Sequence, residues 1–208
     1  MAKIPEERRT QAERREETRT RVLDAAVSEL LDNGYAGFRV DKVACAAKVS
    51  RGAQSHHFPT KESLVLAALE TLYQGSSRDS MKVIDSLSSE SDLLDVLMED
   101  SARFYLGPTF VIAMSLLNLG EIETELRGKV RAISRMYRLP VETAWLSALT
   151  GSGLDEESAQ TVLNITQSVY RGMPIRSFLR DDPEYIRFTV MQWSKIARAF
   201  MDQHTRQR

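Results

Sequence analysis

The chain has 208 residues, 42% of them hydrophobic and 27% charged, with 28 Lys and Arg against 29 Asp and Glu. This is the profile of an ordinary globular protein, long enough for one large domain or two small ones. It excludes several classes: no apolar run approaches the roughly 20 residues that span a bilayer, the charged start MAKIPEERRTQAERREETR holds no secretory apolar region, and a single cysteine, Cys45, permits neither an internal disulfide nor a multi-cysteine metal site. The expectation is a cytoplasmic protein without a membrane partner.

In chain order, residues 1–15 carry Arg8, Arg9, Arg14 and Arg15 among other charges and read as a charged flexible arm. The sharper alternative is an arm that adds phosphate or minor-groove contacts. Val22, Ala26, Val27, Leu30 and Leu31 then stripe a helix over about 17–33, stopped by Asn33-Gly34. A short helix over about 41–47 turns Val43, Ala44 and Ala47 inward, and Ser50 suits the N-cap of a second over about 51–57. Phe58-Pro59-Thr60 breaks that helix, and a long one follows with Leu64, Ala67, Ala68, Leu69 and Leu72 on one side.

Residues 76–92, with seven serines, read as a helix end or a domain joint. Helical periodicity resumes at about 92–106, 109–118, 122–149, 155–172 and 183–203, with no strand alternation anywhere. Pro140 is expected to kink or split the third of these, since it lacks an N–H and clashes with the turn before it. Asp182-Pro183-Glu184 is a strong start signal: a cap, a proline at the first helical position, then an acid at the positive dipole end. The fold class is all-α, with a three-helix N-terminal domain joined to a larger helical one.

The stretch KVSRGAQSHHFPTKESL, residues 48–64, carries the chemistry. Adjacent helical residues point about 100° apart, so His56 and His57 are poorly placed to share a metal ion. The sequence has no G-x-S-x-G elbow, Cys45 in VACAAK reads as a small buried thiol, and Gly151-Ser152-Gly153 lacks the lysine of a phosphate loop and reads as a turn. Neither a metal, a cofactor nor an enzyme is expected. As geometry, the two short helices form a helix-turn-helix supported by the first long one. Phe58 anchors the second short helix, with Arg51 and either Gln54 or Ser55 on its side and Gly52, Ala53 and His56 outward. Small side chains at Gly52 and Ala53 allow close approach to base edges in a major groove. Arg51 suits guanine or phosphate, and Gln54 and Ser55 suit bases or backbone. Thr60 and Lys61 open a helix whose N–H groups suit a phosphate, and His57 can donate, as a neutral ring, to the same backbone.

Residues 18–69, through R-V-L-D-A-A, N-G-Y, V-S-R-G and H-H-F-P-T-K-E-S-L, resemble the DNA-binding domain of the TetR family of transcriptional repressors. The resemblance implies a homodimer reading palindromic double-stranded DNA, and a C-terminal domain that binds a small-molecule inducer. By position it puts Arg51, Gly52 and Ala53 on bases and Ser55, His57 and Lys61 on phosphates. Three residues depart from the pattern. Lys48 stands where the turn usually has glycine, Gln54 replaces an aliphatic residue, and Ser55 replaces a tyrosine. Gln54 therefore either reads a base or loosens the core.

Two expectations concern the rest of the chain. The last two helices carry wide apolar surfaces, with Val162, Thr166, Val169 and Tyr170 on one, and Ile186, Trp193 and Phe200 on the other; Ile165 sits off the first stripe, and Tyr185, Phe188 and Ile196 lie beside the second. Burial on two sides implies a four-helix dimer interface, against plain monomer core. Phe104, Phe110, Met114, Leu117, Tyr137, Trp145 and Gln167 either are core or line a pocket for a largely apolar or aromatic effector, with Arg103 and Asn118 as further conceivable polar contacts. The expected domains are a 1–15 arm, a 16–76 helix-turn-helix domain and a 77–208 effector and dimerisation domain. The rivals are a helical ligand-binding or scaffolding dimer that has lost specific DNA binding, and a small helical enzyme using His56 and His57.

Overall fold

The computed structural model describes residues 10–117, 124–177 and 182–205. Among them the chain is all-α: α1 (Gln11–Gly37), α2 (Val40–Ala46), α3 (Arg51–His57), α4 (Lys61–Asp85), α5 (Leu93–Tyr105), α6 (Pro108–Leu117), α7 (Thr124–Gly151), α8 (Glu156–Ser177) and α9 (Pro183–His204). They fall into two compact units, Met1–Thr71 and Leu72–Arg208, with α4 contributing to both.

The first unit is built on the expected stripe. Val22, Ala26 and Leu30 of α1 are fully buried with Val43, Leu64, Val65, Ala68 and Leu69, and Ala44, Ala47, Phe38 and Phe58 complete the core. Each large aliphatic side chain removed from water in this way is worth about 1.5–3 kcal/mol. Leu31, at the edge of the stripe, stays exposed. α1 starts earlier than expected: the Thr10 side chain accepts from Glu13 N–H at 3.2 Å, and the Glu13 carboxylate accepts from Thr10 N–H at 2.7 Å. This reciprocal cap satisfies two orphan donors and makes residues 11–15 helical rather than part of a flexible arm, while Arg8 and Arg9 lie outside the described residues. At the other end the chain turns at Gly34 (φ 60°, ψ −175°), a conformation open in practice only to glycine, and makes one further turn to Gly37.

In the second unit α8 is central, packed against α5, α7 and α9, while α6 packs against α5 and α7. Asp182 caps α9 by accepting from Tyr185 N–H at 3.0 Å, with Pro183 in the first turn, as its sequence signals. Pro140 does not split α7, which runs from Thr124 to Gly151. Pro140 and Met136, whose carbonyl loses its helical donor, both lie on the exposed side, where water can take the donor's place. A buried carboxylate organises the interior. Asp100 accepts from Ser80 Oγ at 2.7 Å and from Trp145 Nε1 at 2.8 Å, with Arg103 Nη1 at 3.7 Å. Cys45, expected to be a buried thiol, is exposed on α2, because the inward side of that short helix is filled by Val43 and Ala44.

Candidate functional site

The turn between α2 and α3 closes through Lys48 N–H to Cys45 O (3.1 Å) and Val49 N–H to Ala44 O (3.0 Å). Lys48 takes φ 55°, the left-handed conformation that its replacement of glycine demands, at a cost of about 1 kcal/mol. Ser50 then caps α3, its hydroxyl accepting from Ala53 N–H at 3.1 Å. Seven residues make two turns, so only one side of α3 can be buried, and Gln54 and Phe58 occupy it.

Gln54, expected among the DNA contacts, thus faces the core: it is 2% exposed, and its Oε1 is buried without a hydrogen-bond partner. Counting back from Phe58 left positions 54 and 55 open; the four-residue step places Gln54 on the core side and Ser55 outside. The expected outcome of Gln54→Leu is a gain of about 1–2 kcal/mol in unfolding free energy, measured by urea denaturation, since an unsatisfied buried acceptor is removed.

The outward side carries Arg51, Gly52, Ser55 and His56, with Ala53 and His57 half-buried at its edge. Ser55 Oγ donates to Gly52 O at 3.2 Å. Gly52 is not small for the protein's own sake. A Cβ added there would meet nothing nearer than Ser50 Oγ at 3.9 Å, so the space it leaves is kept open toward the outside. Glycine in an exposed helix costs up to about 1 kcal/mol relative to alanine. Gly52→Ala should accordingly stabilise the fold by roughly that amount in denaturation while weakening DNA binding in a mobility-shift titration.

Positive charge borders this face from a second helix. Gln11, Ala12, Arg14, Arg15 and Thr18 of α1 line a groove with Ala53, His56 and His57 of α3. The two histidine rings meet edge-on at 5.7 Å. Burial, followed by the charge of Arg15 and then of His56 and Arg19, holds the His57 pKa below the ordinary imidazole value, so the ring is a neutral donor near pH 7. Sequence reasoning had put Arg14 and Arg15 in the arm; the capping signal of Thr10 and Glu13 would have placed them on α1.

The second α3 groove is lined by Val40, Asp41, Arg51, Gly52, Gln54, Ser55, Phe58, Pro59, Thr60 and Lys61. Thr60 opens α4, accepting from Ser63 N–H at 3.0 Å. Lys61 has contacts within the first unit. Its ammonium donates to Tyr35 O at 2.8 Å and sits 4.5 Å from the Tyr35 ring centre, tying the end of α1 to the start of α4. No group of three or more His, Cys, Asp or Glu that could hold a metal occurs among the described residues.

In the second unit Phe104 and Phe110 are buried with ring centres 5.9 Å apart, and Tyr105 packs edge-on to both. Tyr105 OH donates to Gln167 Oε1 at 3.1 Å and accepts from Arg171 Nη2 at 3.0 Å. Met114, Leu117 and Tyr137 are half-buried. Trp145 is fully buried and its indole N–H is committed to Asp100; Asn118 lies outside the described residues.

The residues expected between subunits differ in their burial within the chain. Val162, Thr166, Tyr170 and Trp193 are buried within the chain, and Trp193 Nε1 donates to Thr166 Oγ1 at 2.9 Å. Val169, Ile186 and Phe200 are half-buried, Phe200 stacking on His204. The apolar side chains left outside on α8 and α9 are Ile165, Ile175, Tyr185, Phe188, Met191 and Ile196. Within the chain the stripes thus bury Val162, Thr166, Tyr170 and Trp193 and leave those six side chains outside.

A family model for bacterial regulatory proteins of the tetR family matches residues 22–68. The chain is 39% identical to the HTH-type transcriptional regulator CymR of Pseudomonas putida over 191 residues, 92% of this chain and 94% of CymR. Among solved structures, a TetR-family transcriptional regulator from Cytophaga hutchinsonii superposes with a TM-score of 0.65 at 12% identity, covering 97% of this chain and all of that one. The regulator FadR from Bacillus subtilis, solved with stearoyl-CoA, gives 0.56 at 18% identity, covering 88% of this chain and 97% of that one. Among the described residues no helix is long and apolar enough to cross a membrane. A helix-turn-helix on the matched segment, in a chain alike over nearly its whole length to a regulator, settles what kind of protein this is: it belongs to the TetR family of bacterial transcriptional regulators, DNA-binding proteins and not enzymes.

Proposed function

We propose that this regulator is a cytoplasmic homodimeric repressor that binds a palindromic operator and is released by a small, largely apolar effector. The observation that carries the reading is the outward side of α3, polar, cationic at its rim and flattened at Gly52. In this reading Arg51, Gly52 and Ala53 meet bases, while Ser55, His56, His57, Arg14 and Arg15 meet the backbone. The N-terminal domain comprises residues 16–76, extended by the helical start at Gln11, and residues 77–208 form the effector and dimerisation domain. Dimerisation uses the outer apolar side chains of α8 and α9, including Phe188 and Ile196.

Half-sites on one face of DNA lie about 34–36 Å apart or a multiple of that. An effector that favours a subunit arrangement with another spacing uncouples the two recognition helices, and it does so only through its difference in affinity for the two arrangements. α4 runs unbroken from Lys61 to Asp85 and is the lever in this scheme. A solved protein of the same fold holds stearoyl-CoA, which supports an apolar ligand in the second unit. Loss of DNA reading, the rival reading, finds little support: Lys48 and Gln54 are absorbed by the turn and the core, leaving Ser55 as the one departure on the reading face.

The test is selection of bound duplexes from a random pool at two salt concentrations. The expected result is an inverted repeat whose binding weakens with salt as phosphate contacts are lost. Recovery of no motif, with binding that vanishes at moderate salt, would defeat the proposal.

A further inference from the structure

We propose that Arg138 is the anion seat of the effector site, and that the effector carries a carboxylate on an apolar body. The inference rests on the reading of the second unit as the effector domain.

Arg138 sits on the inner side of α7, 6% exposed, between Val130 and Val141, which are wholly buried on the same helix. Its Nε and Nη1 are buried with no hydrogen-bond partner. Its guanidinium carbon lies 3.9 Å from the centre of the Phe104 ring, which in turn packs on Tyr105, Phe110 and Tyr73. The buried carboxylate of the unit, Asp100, is engaged elsewhere, by Ser80, Trp145 and Arg103. Tyr105 OH has its partners in Gln167 and Arg171, and Tyr73 OH donates to Ser134 Oγ at 3.2 Å, one turn before Arg138. The polar groups around the aromatic cluster are thus paired with one another, while Arg138 Nε and Nη1 are left out.

That arrangement is costly for the protein alone. A buried lysine could shed its proton, but arginine stays charged. Removing an ion from water is costly even after relaxation, and a cation over a ring returns only part of that cost. Methionine or leucine would fill the same volume without the penalty. The charge is explained by a partner that comes and goes: an anion. A guanidinium presents paired N–H groups that match a carboxylate in its own plane, and the neighbouring cluster of Phe104, Phe110, Tyr105 and Tyr73 suits an apolar remainder of such a ligand.

The experiment uses the purified full-length protein and a panel of probes: benzoate, 4-phenylbutanoate and decanoate, each with its matching primary amide. Binding is read by calorimetry and by thermal shift, with wild-type duplex binding measured in parallel. The wild type should prefer at least one acid over its amide by tenfold or more, and Arg138→Met should lose that preference while melting, without ligand, no lower than the wild type. Arg138→Lys, which keeps the charge without the planar fork, should show a reduced preference and serves if the Met variant does not fold. A wild type that treats every acid and amide alike, or a preference that survives in both variants, overturns the proposal and leaves Arg138 as a clamp on Phe104. Absence of sequence-specific duplex binding would sink the repressor reading instead, with the acid preference still standing.

Discussion

Trp145→Ala is expected to lower the melting temperature by roughly 6–20 °C, as read by calorimetry. Truncating a fully buried tryptophan costs about 3–5 kcal/mol through lost transfer energy and the cavity left behind. In a chain of this size each kcal/mol moves the midpoint by about 2–4 °C. The loss is aggravated because Asp100 loses the indole donor at 2.8 Å, and an orphaned buried acceptor is penalised further. Trp145→Phe separates the two contributions, preserving most of the volume while deleting the N–H; its expected cost is about 1–3 kcal/mol. A Phe variant as stable as the wild type would mean that Asp100 does not depend on the indole.

The second large effect concerns DNA. Arg51 is exposed and makes no contact in the core, so Arg51→Ala should change stability by no more than about 0.5 kcal/mol. Its effect on operator binding should be about 1–3 kcal/mol, with specificity relaxed at a single symmetric base pair. Lys61→Met is the contrast. Because its ammonium holds the Tyr35 carbonyl, its loss should appear mainly as reduced stability, about 1–2 kcal/mol for a charge-assisted bond in a half-buried place. Denaturation and binding titrations on both variants check this. Equal loss of DNA affinity in the two, with equal stability, would contradict the assignment of Lys61 to the scaffold.

Much of this was legible from residues. The span of α3 follows from a cap at Ser50 and a break at Phe58-Pro59, both local signals, and its observed limits are Arg51 and His57. Lys48 was readable as a strained turn residue only through the family resemblance, which puts glycine at that position, and it takes φ 55°. The start of α9 was written in Asp182-Pro183. What failed was the choice between sides. Gln54 and Ser55 are one step apart, and although the resemblance puts an aliphatic residue at 54, a polar side chain there does not by itself decide between core and DNA. On α8 and α9 the stripes were wide, and packing inside the chain took Val162, Thr166 and Trp193. Arg138 was invisible for the same reason as Asp100: in sequence a lone charge reads as a solvated one, and only tertiary packing reveals that water has been taken away.

The central claim is that two copies of α3, held by one dimer, read two half-sites on the same face of the duplex. Lengthening the spacer of a selected inverted repeat tests it directly. Five added base pairs turn the half-sites to opposite faces, and about ten restore the face at a greater distance. The account predicts that affinity collapses toward the non-specific level at five and recovers in part at ten. Equal affinity for all three spacers would contradict it, since each half-site would then be read alone.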